Sequence, residues 1–141
     1  MRFMVIVKSN AESEAGQLPD EKTLIAMGKL NEEMIKAGVL LAGEGLQPSS
    51  KGAKVRFDKT KRTVIDGPFT EAREMIGGFW ILKVASKAEV IEWVKKVPFE
   101  SGEIEIRQIS EAADFEPAVK SPEGAATLAA EEKFRIEQRQ K

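Results

Sequence analysis

The chain opens on RFMVIVKS, residues 2–9, in which Phe3, Val5 and Val7 alternate with Met4 and Ile6. This pattern predicts a strand that is apolar on both faces and must be covered twice. From about Pro19 to Ala37 the spacing changes to fours and threes, through Thr23, Met27, Leu30, Met34 and Ala37, which predicts a helix stopped by Gly38. VLLAGEGLQPS predicts a short strand running into a turn, and AKVRFDKTKRTVID predicts a hairpin around a charged tip. GGFWILKV sets Phe79 and Ile81 against Trp80, Leu82 and Val84, a second strand apolar on both faces. Ser86 and Glu89 form a capping box ahead of a stripe of Val90, Trp93, Val94 and Val97, with Pro98 after it. EIEIRQIS closes the series as an amphipathic strand with Ile104 and Ile106 on one face.

The order β, α, β, hairpin, β, α, β contains two βαβ-like halves and predicts an α+β fold, a ferredoxin-like split sheet with its helices on one face. In that topology the first and third main strands are central, and these are the two that are apolar on both faces. Two helices shield one face only. A second copy packing sheet to sheet is therefore expected over the other, giving a homodimer. Beyond Glu116 the composition shifts to Ala, Glu, Lys, Arg and Gln, with Ser121 and Pro122 placed to open a helix. The expected organisation is a domain over residues 1–115 and a helical extension over 116–141 that docks on a partner subunit or frays.

A length of 141 residues, 42% apolar and 32% charged, fits one soluble domain able to bury a core. Lys and Arg number 22 and Asp and Glu 23, with the signs mixed along the chain, so neither nucleic acid nor an anionic membrane is an expected partner. No run approaches the roughly 20 apolar residues of a membrane span, and MRFMVIVKSN carries too short an apolar run for a secretory leader. A cytoplasmic location is expected. Cys, His and Tyr are absent, which removes thiolate chemistry, the imidazole base and a phenol acid. Catalysis falls to carboxylates, Lys, Arg, Ser or Thr. No phosphate loop, dinucleotide fingerprint, HExxH or nucleophile elbow occurs, and no cofactor is expected. Carboxylates at Glu44 and Asp66 alone supply too few ligands for Mg or Ca, so no metal site is expected.

The candidate chemistry centres on TVIDGPFTEARE, residues 63–74. Asp66 reads as a carboxylate in a cleft at a strand end, where burial beside Pro68 and Phe69 would raise its pKa toward that of a general base. The alternative, which such a sequence more often signals, is turn architecture, with Asp66 accepting backbone N–H groups, Gly67 taking positive φ and Pro68 fixing the exit. Glu44, between two glycines, either binds a cation or amine where backbone approaches a ligand, or marks a bulge. Glu71, Arg73 and Glu74 form a ligand-binding rim or a solvated charge run. Arg107 is placed toward solvent, and Trp80 and Trp93 in the core.

DGPFTEARE followed by GGFWILKV, with AGVLLAGEGLQP before and GEIEIRQI after, resembles the DGPF-motif branch of the YCII-related family over residues 1–115. The resemblance implies a dimeric α+β barrel. Most members of the branch have no established activity, some are encoded beside extracytoplasmic-function sigma factors, and the wider family is linked to catalysis through a His–Asp pair in a pocket. With no His in this chain, the resemblance carries over the acidic member, Asp66, with Gly67, Pro68, Phe69, Glu71 and Arg73 as its motif neighbours. Two functions follow. One is a dimer that binds a small polar molecule near Glu44 and Asp66, with carboxylate acid–base catalysis. The other is a non-catalytic interaction or regulatory module, which the missing His favours.

Overall fold

The computed structural model describes residues 1–71 and 74–141. Its main sheet is built around β1 (Arg2–Lys8), which pairs antiparallel with β5 (Ile76–Lys83) on one side and β6 (Ile104–Gln108) on the other. β2 (Leu40–Gly45) lies on the outer side of β5, giving the order β2-β5-β1-β6. This is the ferredoxin-like α+β arrangement, and its two central strands are the two whose side chains are apolar on both faces. The chain divides into two compact units, Met1–Gln108 and Ile109–Lys141.

One face of the sheet carries the core. Phe3 and Val5 from β1, Trp80 and Leu82 from β5, and Val84 just beyond it pack with Leu30 and Met34 from α2 (Glu21–Lys36) and Val90 from α3 (Lys87–Val94). Val5, Leu82 and Val90 are no more than 1% exposed, and burying a side chain of this size contributes about 1.5–3 kcal/mol. A void of about 10 Å³ lies among Val5, Leu30, Trp80, Leu82 and Trp93, too little for a ligand. Both helices start on side-chain caps. The Asp20 carboxylate accepts the Thr23 N–H at 2.7 Å, and the Ser86 hydroxyl accepts the Glu89 N–H at 3.2 Å. Pro19 lies just before the α2 cap, and Glu89 reaches back to the Ala85 N–H at 2.8 Å, one residue before the α3 cap.

Trp80 sets the fit between sheet and α2. Its indole N–H donates to Asn31 Oδ1 at 2.9 Å, and a Cβ at Gly43 would stand 2.7 Å from its Cδ1. Gly43 is thus required by the indole of the neighbouring strand. The irregularity in β2 lies upstream of both glycines, between Leu40 and Ala42, and leaves Leu41 exposed.

On the opposite face the cross-strand rows read Ala42, Ile81, Met4, Arg107 and Glu44, Phe79, Ile6, Glu105. Met4, Ile6, Phe79 and Ile81 therefore form an apolar strip outside the core cluster, with Ile6 buried and the other three half-buried within one chain. Beyond β2, a 3₁₀ turn at Ser49–Lys51 leads into a separate two-stranded sheet of β3 (Ala53–Asp58) and β4 (Lys61–Asp66). A short helix absent from the periodicity, α1 (Ala11–Glu14), follows β1, with Asn10 and Ser13 capping each other.

The second unit consists of α4 (Ala112–Phe115), a 3₁₀ turn at Glu116–Ala118 and α5 (Pro122–Arg139). Ser121 caps α5 by accepting the Gly124 N–H at 3.1 Å. No α5 residue is buried, and Phe134 and Ile136 are exposed. Among the described residues no helix is long and apolar enough to cross a membrane.

Gly43→Ala should lower the unfolding free energy in urea by about 1–3 kcal/mol through overpacking against Trp80, and Asn31→Ala by about 1–3 kcal/mol by orphaning the indole N–H. The hydrogen bonds from Thr23 hold the Asp20 carboxyl below its ordinary range. Its contribution is therefore present above that range and lost as pH falls through it. Urea midpoints of wild type and Asp20→Asn should accordingly converge as pH falls below the ordinary carboxylate range, since Asn keeps the cap without the titration.

Candidate functional site

Three chain segments leave the same end of the main sheet. After β1, the Ser9 N–H donates to the Met75 carbonyl at 2.8 Å, and after β2 the Leu46 N–H donates to the Gly77 carbonyl at 2.9 Å, so both exits flank the start of β5. The first exit leads to α1 and Glu14, the second to the turn at Ser49, and the segment entering β5 is the one that carries Asp66 to Phe69.

Ser49 ties them together. Its N–H donates to the two Glu14 carboxylate oxygens at 3.2 and 3.3 Å, and its hydroxyl donates to Glu14 Oε2. The same hydroxyl oxygen accepts the Phe69 N–H at 3.0 Å. The Gly67 N–H donates to the Gly52 carbonyl at 3.0 Å, and a Cβ at Gly67 would overlap the Ser49 carbonyl oxygen. Only glycine permits that approach. The Gly67–Pro68 peptide is cis. Phe69 is half-buried and carries Lys54 Nζ 4.2 Å from its ring centroid.

Asp66 stands at the end of β4, its backbone opposite Ala53. It is exposed, as is Pro68, so within one chain Asp66 is not the partly buried cleft residue that its apolar neighbours suggest. Among the described residues its carboxylate has no hydrogen-bond or ion-pair partner. The turn is held through the N–H groups of Gly67 and Phe69, and the acceptor role the turn reading gives to the Asp66 side chain goes instead to Ser49 and Gly52. Glu71 is exposed, and its carbonyl accepts the Glu74 N–H at 2.9 Å. Arg73 lies outside the described residues.

Glu44 is exposed on the open sheet face opposite Phe79, also without a partner among the described residues. The glycines near it serve the protein: the Trp80 indole fills the space at Gly43, and a Cβ at Gly78 would stand 2.9 Å from the Glu44 carbonyl oxygen. No hydrogen bond joins Glu44 to Asp66. Across the sheet, Glu105 bonds Arg107 at 3.4 Å and Lys8 at 3.4 Å. The Arg107 hydrogen bond and then the Lys8 charge hold the Glu105 carboxyl below its ordinary range. Among the described residues no three Asp or Glu gather as a metal site would require. In the second unit a surface groove of about 600 Å³ runs along Phe115, Val119, Leu128 and Arg135.

Glu14 and Ser49 are the functional-region residues that sequence reasoning missed. They lie 35 positions apart, and no periodicity relates them.

Comparison with known proteins places this geometry in context. The profile of the YCII-related domain matches residues 1–113. An uncharacterized protein of Rhizobium meliloti (strain 1021) is 28% identical over 76 residues, which is 54% of this chain and 61% of the relative. The match thus spans under two thirds of that relative's length. Among solved structures, 5-chloro-2-hydroxyhydroquinone dehydrochlorinase from Burkholderia phenoliruptrix AC1100, in complex with 2,5-dihydroxybenzoquinone, aligns over 79% of this chain and 95% of its own, with 16% identity and a TM-score of 0.40.

Ser49→Ala should cost about 1–3 kcal/mol by leaving the Phe69 N–H and the Glu14 carboxylate short of partners. Amide exchange should locate the effect, with faster exchange at Phe69 and unchanged protection at Leu82. Ser49→Thr, which keeps the hydroxyl, should restore it.

Proposed function

The chain belongs to the YCII-related family, and from that premise we propose that it acts as a cytoplasmic homodimer binding a small polar molecule beside Asp66. One observation carries the reading. The residues that follow it, Gly67 and Phe69, are fixed by hydrogen bonds to Gly52 and to Ser49, which Glu14 holds in turn, while the Asp66 carboxylate is left without a partner among the described residues. A turn needing Asp66 only for its own stability would use that oxygen internally.

An ionised carboxylate is acceptor-only, so the ligand offers N–H or O–H donors or a positive charge. Glu71 in the same segment and Glu44 on the open sheet face reinforce that preference. The catalytic form of the reading has Asp66 as general base, taking a proton from a ligand group held within about 2.6–3.2 Å. The dimer is formed by Met4, Phe79 and Ile81, which stay half-buried within one chain and lie outside the core cluster that the two helices cover.

A thermal-shift screen of the wild type against a library of small amines, polyols and phenols should return stabilising compounds, and Asp66→Asn should abolish their shifts without lowering the ligand-free melting temperature. Shifts of equal size in the variant would reduce Asp66 to scaffold. Sedimentation at micromolar concentration should show a two-chain species. A glutamate should separate the sheet faces: Val5→Glu, on the core side, unfolds the domain, whereas Ile81→Glu, on the open side, yields a folded monomer.

A further inference from the structure

We propose that the face of the β3–β4 hairpin carrying Val55, Phe57 and Val64 is a contact between two copies of this chain, and that the second copy supplies the wall the Asp66 site lacks. The inference rests on the homodimer reading and adds which surface of the partner-facing side completes the site. Direct pairing of Val55 with Val64, Phe57 with Arg62 and Ala53 with Asp66 sets all six side chains on one face of the ribbon. On that face Val55 is 49%, Val64 65% and Phe57 69% exposed. A lone two-stranded hairpin is marginally stable in water. An apolar cross-strand pair left in solvent on such a ribbon calls for a cover.

Charge selects the occupant. Residues 53–66 hold five Lys and Arg against two Asp, a net of +3, in a chain whose total is -1, so the remaining residues sum to -4. The hairpin is attracted to the body of another copy, and two hairpins repel each other, which favours an exchange in which each hairpin lies on its partner's body. Nucleic acid fits this face poorly. The guanidinium of Arg62 is already engaged, 4.6 Å from the Phe57 ring centroid and donating to the Lys59 and Lys61 carbonyls at 2.7 and 2.9 Å. The other charged group on the face is Asp66, which repels phosphate. A protein surface laid over Val55 and Val64 would continue directly onto Asp66, two residues along the same strand face, and take it out of water.

The chain has no cysteine, so Val64→Cys creates a single thiol for a benzophenone maleimide. Irradiating a mixture of ¹⁴N- and ¹⁵N-labelled full-length chains at micromolar concentration should give covalent light–heavy pairs, with adducts mapping by mass spectrometry to the body of the other chain. Val55→Asp with Phe57→Asp, both at exposed positions, should keep the circular dichroism spectrum, weaken self-association about tenfold, and remove the stabilisation by compounds found in the thermal-shift screen. A two-chain species in sedimentation without light–heavy adducts overturns this inference and leaves the sheet-face dimer standing. A single-chain species overturns both. Adducts confined to one chain, or formed only with an added oligonucleotide, overturn the assignment of the occupant. Retained ligand stabilisation in the dissociated double variant overturns the shared wall.

Discussion

The seam between β1 and β5 constrains everything else in the first unit. Both strands are apolar on both faces, so neither can occupy an edge, and the helices that follow β1 and β5 must lie over one side of the pair. That requirement fixes β2 outside β5 and β6 outside β1. It also fixes where the chain exits. β1 ends, β2 ends and β5 begins at one end of the sheet, with Lys8 opposite Ile76 and Gly45 opposite Gly78. The convergence of Glu14, Ser49 and the Asp66–Phe69 turn follows from strand order, since Glu14 and Ser49 lie a few residues after the ends of β1 and β2 and the turn lies on the segment that enters β5.

The hydrogen bonds at that end give Gly67 and Phe69 structural roles. Gly67 supplies close approach to the Ser49 carbonyl, Phe69 supplies an N–H to the Ser49 hydroxyl, and Glu14 orients that hydroxyl from the other side. The Ser49 oxygen is both donor and acceptor, so losing either neighbour weakens the hold on the other. Asp66 takes no part in the clamp. Its geometry is nevertheless set by it, because the backbone on its C-terminal side cannot shift without breaking the Gly67 and Phe69 contacts.

The strands and the two main helices were legible because their signals are local. Alternation marked β1 and β5 as central, Ser86 with Glu89 marked the start of α3, and Gly38, at φ 71, marked the end of α2. The ferredoxin-like order followed from those elements. The site was only partly legible, because its decisive contacts are long-range. Nothing in QPSS announces that Ser49 bridges α1 and the turn. The glycines beside Glu44 suggested room for a ligand, whereas an indole from the next strand occupies the space at Gly43. Pro68 and Phe69 beside it suggest burial of Asp66, but the carboxylate stands at the end of a separate two-stranded sheet and is exposed, as is Pro68, while Phe69 is half-buried.

A chain without histidine has no side chain whose ordinary pKa lies near neutrality, so the chemistry open to Asp66 depends on its surroundings. In solvent a carboxylate attracts a unit charge at 4 Å by only about 1 kcal/mol, against about 4 kcal/mol at the effective dielectric of a protein surface cleft. An exposed carboxylate therefore binds weakly and remains a poor base, however well its backbone is held. Clamping lowers the entropic cost of presenting the group, and exclusion of water strengthens what the group does. The first is built into a single chain by Glu14, Ser49 and Gly67. The second is not, and Val55 and Val64 next to Asp66 on the same ribbon face are exposed within one chain, so any surface laid over them would also take the carboxylate out of water.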